Sequence, residues 1–220
     1  MPFAKKWLFL FKIRSFFSPA PLAYNNLMLP IDLLQSEHRM IERMLGLLRE
    51  ELNTINKLKR VNLNLLETTV DFFRFYADRC HHGKEEFILF RTLEKKNLTP
   101  ELEKIMGELV DNHVKTREWI DSLQSVTRRF AKGEKGAIRE LQQLLEDMTA
   151  NAPKHMEKEE KRLFGPAMQL LSQEEKDALV REEYELDRTL IHEKYKLIIE
   201  KLEKAPSDST QKTKIIESGR

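Results

Sequence analysis

A chain of 220 residues has room for one ordinary domain with tails and a sizeable core, and argues against two full domains. Charged residues make up 34% of it yet balance to a formal net charge of +2, so nothing in the field is built to hold nucleic acid or an acidic substrate. Seven Gly and eight Pro beside abundant Leu, Glu, Lys and Arg make all-α the expected class, while a single cysteine, Cys80, excludes an internal disulfide and suits a reducing, cytoplasmic compartment.

Residues 1–30 are read as an N-terminal extension, poorly ordered, ahead of a domain start near Met28. Its run "KKWLFLFKIRSFF" has a basic start, but Lys12 and Arg14 break the apolar stretch far short of the ~20 residues of a membrane span. A weak amphipathic surface anchor is the alternative there. The first helix opens at "LPIDLLQ", with Asp32 as N-cap and Gln35 three residues on, and continues through Leu33, Leu34, Ile41, Leu45, Leu48 and Leu52 at helical spacing. A turn at "NKLKRVN" precedes a second helix through Leu63, Leu66, Val70, Phe73 and Ala77. Thr99 caps and Pro100 starts a third helix, which "AKGEKGA" closes. The fourth runs through Leu141, Leu144 and Leu145, contains Pro153 and stops around "FGP". "SQEE" reads as a capping box opening a long additional helix over residues 172–204, and residues 205–220 as a disordered tail. Helices joined by such short connections stand antiparallel, so residues 31–171 are expected to form an up-down-up-down four-helix bundle.

Two residues equidistant from the turn of an antiparallel hairpin lie at one height. The midpoint of His38 and His81 falls within "NKLKRVN", that of His81 and His113 within "KKNLTP", and that of His113 and His155 within "AKGEKGA". The four histidines therefore share one layer, one per helix. The decapeptide "HHGKEEFILF" at residues 81 to 90 recurs as "HMEKEEKRLF" at 155 to 164, so His81 and His155 each have a Glu four residues on, Glu85 and Glu159, on the same helix face. His113 follows His38 at nearly the same offset as the decapeptide repeat, and the chain reads as two copies of a hairpin that each supply His, His and Glu. Buried carboxylates need positive charge, and imidazole with carboxylate oxygen suits divalent Fe, Mn or Zn. Six ligands, two of them able to bridge, suit two ions.

A lone histidine on an apolar face is more often a hydrogen-bonded core residue; four in one layer, two with a Glu at +4, weigh for a metal site. His82 and His192 lack counterparts in the repeat and are read as non-ligands. Lys84, Glu86, Lys158 and Glu160 read as a solvated face, Cys80 as a small core residue, and Arg117 as either a group behind the ligands or a solvent-reaching side chain.

The pattern His38, His81 with Glu85, His113, and His155 with Glu159 resembles the hemerythrin-like, or HHE cation-binding, family over residues 31 to 170. Neither Glu-x-x-His pairs, as in ferritin-like bundles, nor HExxH is present. The resemblance implies a non-haem di-iron centre of two iron ions, with Glu85 and Glu159 bridging and the four histidines terminal. Oxygen-carrying hemerythrins have a fifth histidine four residues after the third-helix ligand and an Asp five residues after the last; here those places hold Arg117 and Glu160, which argues against reversible O2 storage. The expected function is reaction with or sensing of O2, peroxide or nitric oxide. The alternative is a metal-dependent regulatory module without turnover, its partner surface supplied by the additional helix.

Overall fold

A computed structural model describes residues 28–187 and 191–204, and the backbone of 213–215. Most of the N-terminal extension and of the C-terminal tail expected from the sequence lies outside the described residues. Among the described residues the fold is helical throughout apart from one short strand pairing. The helices are α1 (Pro30–Leu58), α2 (63–93), α3 (Pro100–Ala131), α4 (137–170), α5 (Gln173–Asp187) and α6 (Ile191–Lys204). Strand β1 (Arg60–Asn62) pairs antiparallel with β2 (Thr213–Ile215). None of these helices is long and apolar enough to cross a membrane.

The local chemistry explains most boundaries. At the start of α1, Asp32 is not the N-cap; the helix begins at Pro30, and the Asp32 carboxylate accepts the backbone N–H of Leu29 at 2.7 Å. Asn62 caps α2 by accepting from the Leu65 N–H. Thr99 caps α3 by accepting from the Leu102 N–H, with Pro100 at the first helical position, where its missing N–H costs nothing. The capping box at α5 is complete: Ser172 Oγ accepts from the Glu175 N–H, and Glu175 accepts from the Ser172 N–H.

Helix α4 does not stop at "FGP" but runs on to Leu170. In a regular helix the Pro166 ring would meet the carbonyl of Arg162. Arg162 lies in the π-helical stretch Glu159–Leu163, whose wider turn accommodates the ring. Two more π-helical stretches, Phe73–His82 and Glu85–Phe90, occupy the middle of α2.

Helix α1 packs on α4, α2 on α3, and α3 on α4, while α5 and α6 lie against α1 and α2. The apolar residues form two separate clusters. One contains Leu45, Leu48, Phe72, Leu123 and Leu145 and is joined by Tyr195 and Ile199 of α6. The other contains Leu89, Phe90, Leu109, Leu163 and Phe164 and is joined by Leu179 of α5. Each such buried side chain contributes about 1.5–3 kcal/mol. Between the clusters, at the height of residues 38, 81 to 85, 113 and 155 to 159, the interior is polar.

Glu183 of α5 is 1% exposed, and its Oε1 has no hydrogen-bond partner. Burial raises its carboxyl to about 9; the pull of Lys84 does not offset this, and the charges of Glu37 and Asp187 add to it. An unfolded glutamate loses its proton near pH ~4.3. Between that pH and about 9 the folded chain holds a proton the unfolded chain has released, so stability falls as pH rises across the window. Glu183→Gln is therefore expected to stabilise the protein by on the order of 1–3 kcal/mol at pH ~8 and by less at pH ~5. Thermal unfolding at the two pH values checks this, and an equal effect at both would contradict it.

Candidate metal centre

The structure brings all six sequence-predicted residues to one place. His38 comes from α1, His81 and Glu85 from α2, His113 from α3, and His155 and Glu159 from α4. His38 Nε2 and His81 Nε2 stand 3.1 Å apart, and the rings of His113 and His155 meet edge to face at 4.9 Å. The two carboxylates lie between these pairs. Glu85 Oε2 is 3.8 Å from His81 Nε2 and 3.3 Å from His113 Nε2. Glu159 reaches His38 Nε2 at 3.2 Å, His155 Nε2 at 2.9 Å and His113 Nε2 at 3.7 Å. One ligand atom from each of His38, His81, Glu85 and Glu159 falls within 4.8 Å of the others, and the same holds for Glu85, His113, His155 and Glu159. The two groups share both carboxylates.

Despite these approaches, both oxygens of Glu85, both of Glu159, His113 Nε2 and both nitrogens of His155 are buried without a hydrogen bond. Such atoms ordinarily cost 1–3 kcal/mol each, more when charged. Buried oxygens and ring nitrogens that converge without a hydrogen bond fit a cation as their missing partner, so the set matches the ligand chemistry of a divalent ion. The protonation pattern agrees. Burial would raise the Glu159 carboxyl, but the charge of His155 and the close contacts of His113, His155 and His38 hold it well below the usual range. Burial opposes the charge on His38 and His113, yet Glu159 and Glu85 push His38 up to about 9 and His113 well above its ordinary value. In the metal-free chain, protons on His38 and His113 would place positive charge beside the carboxylates.

An outer ring of carboxylates takes the other ring nitrogens. His38 Nδ1 faces Glu160 at 2.8 Å, His81 Nδ1 faces Glu37 at 3.0 Å, and His113 Nδ1 faces Glu86 at 2.7 Å. Each contact fixes the tautomer with the proton on Nδ1 and leaves Nε2 as the inward lone pair. Arg117 is a group behind the ligands, its half-buried guanidinium pairing with Glu86 and with Asp78, each at 2.7 Å. Glu86 therefore belongs to the site rather than to a solvated face, whereas Glu160 is exposed as expected and reaches His38 from the surface; Lys158 pairs with Glu108 at 2.9 Å away from it.

Lys84 departs furthest from the solvated face expected of it. It is fully buried, its ammonium pairing with Glu37, with Asp187 of α5 at 2.5 Å, and with Cys80 Sγ at 3.0 Å. Burial opposes that charge, but Glu37 reverses the effect and holds the ammonium above its ordinary range. His192 of α6 joins through Glu37 at 3.2 Å and Asp187 at 2.9 Å. Glu37, Cys80, Asp187 and His192 stand close enough to hold an ion, but the Lys84 ammonium already contacts the first three and supplies the cation. Cys80 is buried as expected, and burial, then the charge of Glu37, pushes its thiol up and away from reactivity.

Sequence reasoning missed Glu37, Lys84 and Asp187 because nothing local marks a partner contributed by another helix. The Asp78/His82 pair at i,i+4 was legible, and His82 proves to be buried, its ring stacked on that of His113 at 3.9 Å. Burial, and then the positive charge of His113, His81 and His155, drives its pKa well below the ordinary value, so it is neutral.

The hemerythrin HHE cation-binding domain matches residues 29–167. The chain belongs to this family. Domains of this hemerythrin family bind metal cations, typically iron, and the His and Glu clusters described here are able to hold metal. No curated protein and no solved structure matches the chain. The hemerythrin match ends before α5, so Lys84 links the matched region to a helix beyond it. Lys84→Met takes the ammonium from Glu37 and Asp187 and leaves them only the imidazoles of His81 and His192, a loss of about 3–5 kcal/mol expected in urea unfolding; a change below about 1 kcal/mol would contradict the central role of that ammonium.

Proposed function

We propose that this hemerythrin-family protein is an up-down-up-down four-helix bundle with a non-haem di-iron centre that reacts with or senses O2, peroxide or nitric oxide. His38 and His81, with Glu85 and Glu159, would hold one ion, and His113 and His155, with the same two carboxylates, would hold the other. The observation that carries the reading is the set of four buried carboxylate oxygens without a hydrogen bond at the meeting point of four imidazoles. Iron bound there supplies Lewis acidity and redox chemistry. The chain's own residues orient the imidazoles through Glu37, Glu86 and Glu160 and exclude water with the apolar clusters on either side. The free, buried Cys80 accords with a reducing cytoplasm.

A second reading, the regulatory module without turnover, is favoured by one connection. Glu37 touches both His81 and Lys84, and Lys84 touches Asp187, so the order of the site is tied to the docking of α5 and α6. Metal occupancy would then set how firmly a surface outside the matched domain is held.

Anaerobic loading with ferrous iron, followed by O2, peroxide or a nitric oxide donor, separates the readings. Spectral change and consumption of one of these molecules is the expected result, and Glu85→Gln with Glu159→Gln should abolish it. Metal-dependent protection of residues 173–204 from proteolysis without any such reaction would favour the regulatory module. Neither response in iron-loaded protein would overturn both.

A further inference from the structure

We propose that His82 is a fifth imidazole of the centre, coordinating the divalent ion held by His113 and His155; this rests on the metal reading above. The repeat gives His82 no counterpart, and in a regular α-helix it would point about 100° around from His81. It ends the π-helical stretch Phe73–His82, where each residue turns through a smaller angle, and so both neighbouring histidines face inward. His82 is 4% exposed. Its ring lies 3.9 Å from that of His113 and 5.8 Å from that of His155. His82, His113 and His155 each bring a ring nitrogen within 4.8 Å of the others.

The second observation concerns the other ring nitrogen. His82 Nδ1 faces the carboxylate of Asp78 at 3.4 Å, the same arrangement that Glu160, Glu37 and Glu86 make with His38, His81 and His113. A carboxylate on Nδ1 presents Nε2 to a metal and raises its basicity. A buried histidine needs a partner for its N–H in any case, so it is this contact together with the convergence on His113 and His155 that marks His82 as a ligand. Arg117 then has a defined task. It binds Asp78 and Glu86 together and so clamps the carboxylates behind His82 and His113 as one unit. Asp78 and Arg117 act as positioning residues, and the ion on this side receives three imidazoles where its neighbour receives two.

The test uses full-length protein loaded with cobalt(II), in which each coordinated imidazole whose N–H is shielded from exchange gives a strongly shifted, exchangeable proton signal. His82→Phe keeps an aromatic ring against His113 but removes the nitrogen. The expected result is one fewer exchangeable signal than wild type and at least about tenfold weaker retention of one of the two ions against a chelator, the other ion being held as before. His82→Ala should behave likewise and regain the second ion when imidazole is added. Asp78→Asn should shift that one signal and weaken the same ion about 10–100-fold. Two ions held with wild-type affinity in His82→Phe, with an unchanged set of signals, would make His82 a packing residue and leave the di-iron reading intact. Failure of wild type itself to take up two ions would overturn the metal reading and this assignment with it.

Discussion

Two carboxylates, Glu85 and Glu159, lie fully buried with none of their oxygens hydrogen-bonded, and the rest of the molecule is arranged around them. An anion in an apolar interior must be neutralised by a proton or a cation. Here four imidazoles surround the pair, and apolar clusters above and below keep water from doing the task instead. The π-helical stretches serve the same end. Glu85 opens one, His81 and His82 close another, and Glu159 opens the third. The widening over Phe73–His82 brings in His82, which a regular helix would turn away from the face of His81.

Around this centre runs an alternation of charge. The inner carboxylates meet imidazoles, the imidazoles meet the outer carboxylates Glu37, Glu86, Glu160 and Asp78, and these meet Lys84 and Arg117. The outer charges are paired from shell to shell, which leaves Glu85, Glu159 and His155 at the centre as the groups still lacking a partner. The shell is not closed by the matched hemerythrin region alone. Asp187 and His192, from α5 and α6, complete it on the His81 side, giving those helices a reason to dock beyond the apolar contacts of Leu179 and Tyr195.

That His38, His81, Glu85, His113, His155 and Glu159 meet was legible because three histidine midpoints fall between helices, and the repeated His and Glu at i,i+4 identifies the face. The caps at Thr99 and Ser172 were legible for the same local reason. What escaped depended on departures from the α-helical period or on partners distant in sequence. His82 looks misdirected until the π-helical turn is known, and Pro166 looks like a terminator until the turn before it is known to be wide. Lys84 has the sequence context of a surface residue, yet Glu37 and Asp187 draw it fully inside. No pattern within α2 could announce partners from α1 and α5.

The most direct measurement is metal per chain, by elemental analysis of protein purified from iron-replete cells beside a variant carrying His81→Ala and His155→Ala. Close to two irons in the wild type and few in the variant is the result this account predicts. Close to none in both, even after anaerobic loading with ferrous iron, would mean that protons alone neutralise Glu85 and Glu159, and the account of the site as a metal centre would be contradicted.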